Sequence, residues 1–394
     1  MFDSLKKELS RRALLHKAGF GFMALGVTGA VGHIIKPTRT LAQAGPAPSN
    51  EPSLPPEKKL GWAVVGLGKF ATQQIMPSFG ECKRSKLVAL VSGDRPKAEK
   101  YAQQYGINPK NVYNYQNYDS IRDNPEVDVI YIILPNGMYA EYSIRGAQAG
   151  KHIMCEKPMA NTVEECQAMI DAAKKANRKL MIAYRTQYEP YNLTAIQLAQ
   201  SGKLGKLKSI TSDHERILNP KDPVDIWRMQ KKLAGGGSLY DIGIYSLQAT
   251  RYITGEEPVA INAMMYSTPG DPRFREVEEN VNFMLHFPSG VLANCTSSYG
   301  YSSTKRIQVF GSDAVLELDP ATDYYQHRLF INRDNQTEEQ KIEEKNQFAL
   351  EMDHLSECIM QNKQPKTPGE EGLQDVRLMN LIYEAARTDK TIKV

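Results

Sequence analysis

Paired cysteines, clustered histidines, long apolar runs and a strong charge of one sign are all missing from this sequence. Its five cysteines, Cys82, Cys155, Cys166, Cys295 and Cys358, stand far apart without a CxxC pair, so their spacing spells neither a zinc cluster nor a disulfide framework. Buried, inert thiols are expected instead. The seven histidines include no HExxH and no pair at helical ligand spacing, which leaves metal chemistry without a ligand set. Forty-nine basic residues face forty-five acidic ones, a formal net charge of only +4, and this balance argues against nucleic acid as a partner. The 394 residues exceed the usual size of a single core, so two packed domains are expected.

What is present begins with Ser10-Arg11-Arg12-Ala13-Leu14-Leu15, an apolar Gly- and Ala-rich stretch over 18–35, and Leu41-Ala42-Gln43-Ala44. A charged start, an apolar middle and a small-x-small site are the parts of an export signal, and the paired arginines mark the twin-arginine type. The apolar stretch is interrupted by His33 and falls short of the about 20 residues of a confident membrane span. Residues 1–44 therefore read as a cleaved signal that leaves no stable membrane anchor, with a periplasmic mature protein. The twin-arginine route carries folded proteins, so a ligand acquired before export is expected. Residues 45–58, with Pro46, Pro48, Pro52, Pro55 and Pro56, read as an extended arm.

A short apolar run over 60–65 ends in Gly66-Leu67-Gly68-Lys69-Phe70-Ala71 and leads into an apolar-periodic segment through Ile75, Met76 and Phe79. This is strand, glycine turn and helix. The first glycine permits the turn, the second admits a pyrophosphate, and small Ala71 lets helix and strand pack closely, with the helix N–H groups meeting phosphate. A second strand, 87–91, ends at Ser92 where an NAD site would place a carboxylate, and Asp94 comes two residues late. Ser92, Arg95 and Lys97 are suited to a 2′-phosphate, which favours NADP. Strands over 127–134, 152–155 and 180–184 alternate with helices over 96–105, 139–149 and 163–177, the pattern of a doubly wound parallel (Rossmann) sheet. Its ligands sit beyond the carboxyl ends of the strands, at Leu134-Pro135-Asn136 and Glu156-Lys157-Pro158.

From 206 onward strands dominate, over 206–215, 260–266, 281–287, 291–298, 305–310 and 314–318, with turns at Pro288-Ser289-Gly290 and Gly311-Ser312-Asp313. An α+β domain with a large open, mostly antiparallel sheet is expected. One face would pack on a helix over 241–254 and the other is free for a second subunit, so a homo-oligomer, dimer or tetramer, is expected. Helices over 348–361 and 373–388 close the fold. The domains are then 59–184 for the nucleotide and 185–394 for substrate binding and oligomerisation.

Glu156-Lys157-Pro158 after a buried strand, with Gly66-x-Gly68 upstream, resembles the Gfo/Idh/MocA family of nicotinamide-dependent sugar oxidoreductases. Trp227-Arg228, the run from Gly235-Gly236-Gly237 to Asp241-Ile242-Gly243-Ile244-Tyr245, and Pro368-Gly369-Glu370-Glu371-Gly372 extend the resemblance to members that couple glucose oxidation with fructose reduction. It implies that Lys157, Asp241 and Tyr245 form the catalytic and sugar-binding set. Tyr245 is then the acid/base, because hydride loss from a sugar carbon needs a group that takes the hydroxyl proton. A tyrosine titrates near 10 when unperturbed, so a neighbouring cation is required, and Lys157 is placed to supply it. Tyr188 is expected at the sugar, and Lys69, Phe70, Arg185, Trp227 and Arg228 at the cofactor. Asp241 capping a helix, with Tyr245 as ordinary packing, is the bland reading of the same residues. Other functions open to this pattern are an aldose dehydrogenase with exchangeable NADP and a glycosidase that uses bound nucleotide. Arg185-Thr186-Gln187-Tyr188 lacks the histidine expected after the arginine, a departure from the coupled enzymes.

Overall fold

The computed structural model describes residues 52–394; the export signal expected over 1–44 and the first part of the expected proline-rich arm lie outside the described residues. Six parallel strands form the first sheet: β1 (Leu60–Val65), β2 (Ser85–Val91), β3 (Val112–Tyr113), β4 (Val129–Ile132), β5 (His152–Glu156) and β6 (Leu180–Ala183). They run in the order β3-β2-β1-β4-β5-β6, so the winding direction reverses between β1 and β4 and opens a crevice at their carboxyl ends. The strand centres are apolar because both faces of the sheet are covered. Ala63 and Val65 face a core shared with helices Tyr139–Gln148 and Val163–Lys175, while Trp62 and Val64 face the opposite core. All five cysteines are buried.

The second sheet has nine strands: β7 (Leu207–Glu215), β8 (Ala260–Tyr266), β9 (Asn280–His286), β10 (Leu292–Ser298), β11 (Thr304–Gly311), β12 (Val315–Leu318), β13 (Leu329–Arg333), β14 (Gln336–Gln340) and β15 (Ile392–Lys393). Their order is β14-β13-β12-β11-β7-β10-β9-β8-β15. Only the β7–β10 pairing is parallel, and helix Ile244–Thr254 covers one face. The β13–β14 hairpin escapes the sequence pattern because β14 is a polar edge strand, Gln336-Thr337-Glu338-Glu339-Gln340, with nothing to bury. Its turn, Asp334-Asn335, has φ of 49° and 61°, the twist that two-residue hairpins require.

The segment assigned by sequence to the second domain returns to the first. Helix Gln347–Met360 packs beneath β1, burying Phe348, Met352 and Leu355 beside Trp62. The Trp62 indole N–H donates to Ser356 Oγ at 3.1 Å, and the Ser85 hydroxyl donates to Asp353 Oδ1 at 2.9 Å. Helical periodicity announces a buried face but not which sheet will cover it.

Helix Ile244–Thr254 is pinned by a buried charge. Arg251, with no exposed surface, donates through Nε to Glu257 at 2.9 Å and through its terminal nitrogens to Asp375 and Glu371. Arg251→Met leaves buried carboxylates without their cation and is expected to cost about 3–5 kcal/mol, read as a lower midpoint in chemical denaturation.

Candidate active site

The crevice at the carboxyl end of the first sheet starts at the glycine turn. Gly66 has φ +92°, and a Cβ there would lie 2.2 Å from the Ile133 carbonyl, so only glycine lets β1 pass β4 at this point. A Cβ on Gly68 would meet nothing within 4 Å; the turn leaves an open cradle where a pyrophosphate would lie. Ala71 is buried, as close helix packing demands. Three residues from later in the chain reach this turn. Lys69 pairs with Asp222 at 2.9 Å, and the Phe70 ring lies 5.9 Å from Tyr324 and 5.6 Å from Phe348.

Ser92 follows β2 and is buried, its hydroxyl accepting from the Asp94 N–H at 3.1 Å. The Asp94 carboxylate caps helix Arg95–Gln104, one of its oxygens accepting from the Lys97 N–H at 3.0 Å. Arg95 lies at the exposed helix start, paired with Glu99 at 2.7 Å, and Lys97 follows within the same turn. A hydroxyl and two cationic residues thus stand within six positions at the junction of β2 and a helix N-terminus, residue types suited to a 2′-phosphate.

Farther along, Leu134-Pro135-Asn136 follows β4, where the Asn136 amide donates to the Ala234 carbonyl at 2.9 Å and ties the crevice to the glycine run. Glu156, expected at the cofactor, has a buried carboxylate that accepts from the Tyr131 hydroxyl of β4 at 2.6 Å, and burial pushes its pKa up.

Lys157, the next residue, points the other way. Its ammonium donates to the Asp241 backbone carbonyl, lies 3.7 Å from Asp241 Oδ1 and stands 4.6 Å from the centre of the Tyr245 ring. The structure thus brings Lys157, Asp241 and Tyr245 together from two domains. Asp241 belongs to a single wide turn, Leu239–Gly243, with the five-residue hydrogen-bond spacing of a π-helix, that runs into helix Ile244–Thr254 carrying Tyr245. Such turns are frequent at functional sites. Asp241 does not cap this helix. The capping carboxylate is Glu278, which accepts from the Gly237 and Leu239 N–H groups at 2.8 and 3.0 Å. A Cβ on Gly237 would lie 2.0 Å from the Glu278 carbonyl, so glycine is what permits that approach.

Asp241 Oδ2 accepts from Arg228 Nε at 2.9 Å and from the Tyr299 hydroxyl at 2.9 Å, with Arg216 at 3.5 Å. Burial alone would raise the pKa of this carboxyl, but Arg228, Lys157 and Arg216 outweigh it and hold the group far below the usual carboxylate range. Arg228, expected at the cofactor, is therefore part of the cluster around Asp241, and its guanidinium lies 4.4 Å from the Trp227 ring centre.

Arg185 follows β6 and is buried. It donates to Tyr245 Oη at 3.2 Å and anchors itself on Thr322 O, Asp323 O and Gln347 Oε1. Since a guanidinium can only donate, the phenol oxygen accepts there and its own proton is left for the crevice. The Tyr245 ring stacks on His214 with centroids 4.9 Å apart and planes 16° from parallel. Burial, then Lys305, Lys157 and Arg185, push the His214 pKa well below its usual value and keep the ring neutral.

Tyr188 does not join this group. It is buried in the first domain, its hydroxyl 3.2 Å from Thr367 Oγ1 and its ring tilted 5.2 Å from His354; the turn Arg185–Gln187 aims residues 185 and 188 in different directions. Sequence reasoning missed His214, Arg216 and Tyr299. The available signal was faint: a histidine at an inward position of β7, and ionisable side chains at the ends of β7 and β10, where strands meet the crevice.

The sequence matches the oxidoreductase family with an NAD-binding Rossmann fold over residues 60–184 and that family's C-terminal alpha/beta domain over residues 196–394. The chain belongs to the Gfo/Idh/MocA oxidoreductase family. Among solved members, it is similar to the aldose-aldose oxidoreductase of Caulobacter crescentus, crystallised with glycerol, at 48% identity and a TM-score of 0.82, covering 85% of this chain and all of the other. It is also 30% identical, over 84% of its length and 92% of the relative's, to the D-xylose 1-dehydrogenase [NADP(+)] of Haloarcula marismortui. A second such enzyme, from Haloferax volcanii, is 26% identical over 84% of this chain and 99% of its own.

Because Asp241 is ionised far below its unfolded value, it stabilises the fold above about pH 4 and that contribution is lost as pH falls toward the folded value. Asp241→Asn is expected to lower stability at neutral pH and to flatten the acid limb below about pH 4, measured as denaturation midpoints across acidic and neutral buffers.

Proposed function

We propose that this protein is an NADP-dependent sugar oxidoreductase that oxidises an aldose at its anomeric carbon and can reduce a second sugar on the same nucleotide. The observation that carries the proposal is Tyr245 itself, whose oxygen is fixed by Arg185 at 3.2 Å while Lys157 and Asp241 stand beside it at the mouth of a dinucleotide crevice. Bound NADP supplies the acceptor and donor of hydride. The chain's own groups manage protons and position. Lys157 donates and Asp241 accepts, so together they orient neighbouring sugar hydroxyls. Tyr245 takes the proton of the anomeric hydroxyl as the carbon is oxidised and returns a proton to a carbonyl oxygen as it is reduced. The Arg185 guanidinium and Lys157 ammonium offset negative charge on the phenol oxygen while that proton is away.

Likeness to an aldose-aldose oxidoreductase supports an aldose, rather than a ketose such as fructose, as the sugar reduced to its alditol. Likeness to the NADP-dependent xylose dehydrogenase supports the cofactor, as does the Ser92, Arg95 and Lys97 corner. Export through residues 1–44 and assembly into a homo-oligomer through the open face of the nine-stranded sheet are parts of the same proposal. Met264, Tyr266 and Leu292 are exposed on β8 and β10, an apolar share that suits a subunit contact.

Thoroughly desalted mature protein is expected to release NADP on denaturation, identified by mass and absorbance, at near one per chain. Incubated with D-glucose and D-xylose and no added nucleotide, it should yield lactone and alditol together. Protein that arrives empty and turns over only with added NADP would instead be a simple aldose dehydrogenase, and released NAD would overturn the reading of Ser92 and Arg95. Tyr245→Phe is expected to cut turnover by at least about a hundredfold, the scale of a lost acid/base, while nucleotide binding is retained; undiminished turnover would remove Tyr245 from its role.

A further inference from the structure

The two oxygens of the Asp241 carboxylate live in different surroundings. Oδ2 carries the Arg228 Nε–H and the Tyr299 hydroxyl, both at 2.9 Å, with Arg216 behind them at 3.5 Å. Oδ1 has only the Lys157 ammonium at 3.7 Å, beyond hydrogen-bond reach. A carboxylate held by one oxygen presents the other in a fixed direction, which is what orienting a sugar hydroxyl requires. We propose that Tyr299 is a positioning residue for the reaction: its hydroxyl, with Arg228, occupies Asp241 Oδ2 so that Oδ1 alone faces the sugar beside Lys157.

Tyr299 is built for this and for little else. It follows β10, and its backbone is clamped on both sides, its N–H donating to Glu279 O and its carbonyl accepting from the Leu218 N–H, each at 3.0 Å. The ring is 1% exposed among Leu218, Ile242 and Phe274, and the Arg216 guanidinium lies 5.1 Å from its centre while pairing with Asp225 at 2.7 Å. Burial and the Asp241 charge both push its pKa well up, so the hydroxyl remains a donor. Tyr299 touches Asp241 and not the reacting atoms, and it therefore acts only through that carboxylate.

Tyr299→Phe keeps the ring, its neighbours and the Arg216 stack while removing one hydrogen bond to a charged group. The inference rests on the oxidoreductase reading above. Steady-state turnover of D-glucose with D-xylose on the bound nucleotide is expected to lose about tenfold to a hundredfold in kcat/KM, mostly as a higher KM, with nucleotide content unchanged. In an Asp241→Asn background the same substitution should add almost nothing, because the group it orients is already gone. Wild-type kcat/KM in Tyr299→Phe, or equal and multiplicative losses in the two backgrounds, would overturn the proposal. If the wild-type protein oxidises no aldose, the functional reading fails by itself. The clamp is then judged at neutral pH by the carboxyl carbon-13 chemical shift of Asp241: Tyr299→Phe must move it, and an unmoved resonance refutes the clamp.

Discussion

One ionised carboxylate, Asp241, sits where the two domains meet, and its partners come from both. Lys157 arrives from the end of β5, Arg228 from a short turn that precedes the glycine run, and Arg216 and Tyr299 from the ends of neighbouring strands β7 and β10. A buried carboxylate is stable only with cations around it, and Lys157, Arg228 and Arg216 together supply that compensation. The wide turn at Leu239–Gly243, the Glu278 cap and the glycine that lets it approach are the local means of bringing the carboxylate to that place. Tyr245 then follows four residues on, already aimed.

That arrangement separates the tasks of the cluster. Asp241 stays charged and does not trade protons, while Tyr245, held at its oxygen by a group that can only donate, keeps a proton free to move. His214 contributes a flat, neutral surface against the ring, and Arg185 is immobilised by three acceptors besides the phenol. Few freely moving parts remain around the Tyr245 oxygen. Preorganisation of this sort is where a protein adds most to a reaction whose chemistry belongs to a cofactor.

The sequence disclosed the first domain well because parallel strands buried on both faces are continuous apolar runs, and because a glycine turn between strand and helix has a mechanical reason to exist. Every core strand of the nucleotide sheet was marked in that way except β3, two residues long. Lys157, Asp241 and Tyr245 emerged through family resemblance; composition and spacing alone favoured the plainer reading of Asp241 as a cap. Tyr299, Arg216 and His214 stayed hidden because their importance lies in contacts across long sequence separations, and a tyrosine after a strand looks like any other. Tyr188 misled for a related reason: nearness in sequence to Arg185 says nothing of direction once a turn intervenes. The polar hairpin β13–β14 carried no apolar signal at all.

Helix Gln347–Met360 gives the first domain an unusual dependence on the order in which the chain is made. Trp62, Met352 and Leu355 share one core, so the sheet that opens with β1 has a bare apolar flank until the far end of the chain has left the ribosome. During synthesis the first domain must wait with that surface uncovered, a condition that invites chaperones and aggregation alike. A fragment that stops after β6 would carry every nucleotide-facing turn of the first sheet and still lack a wall.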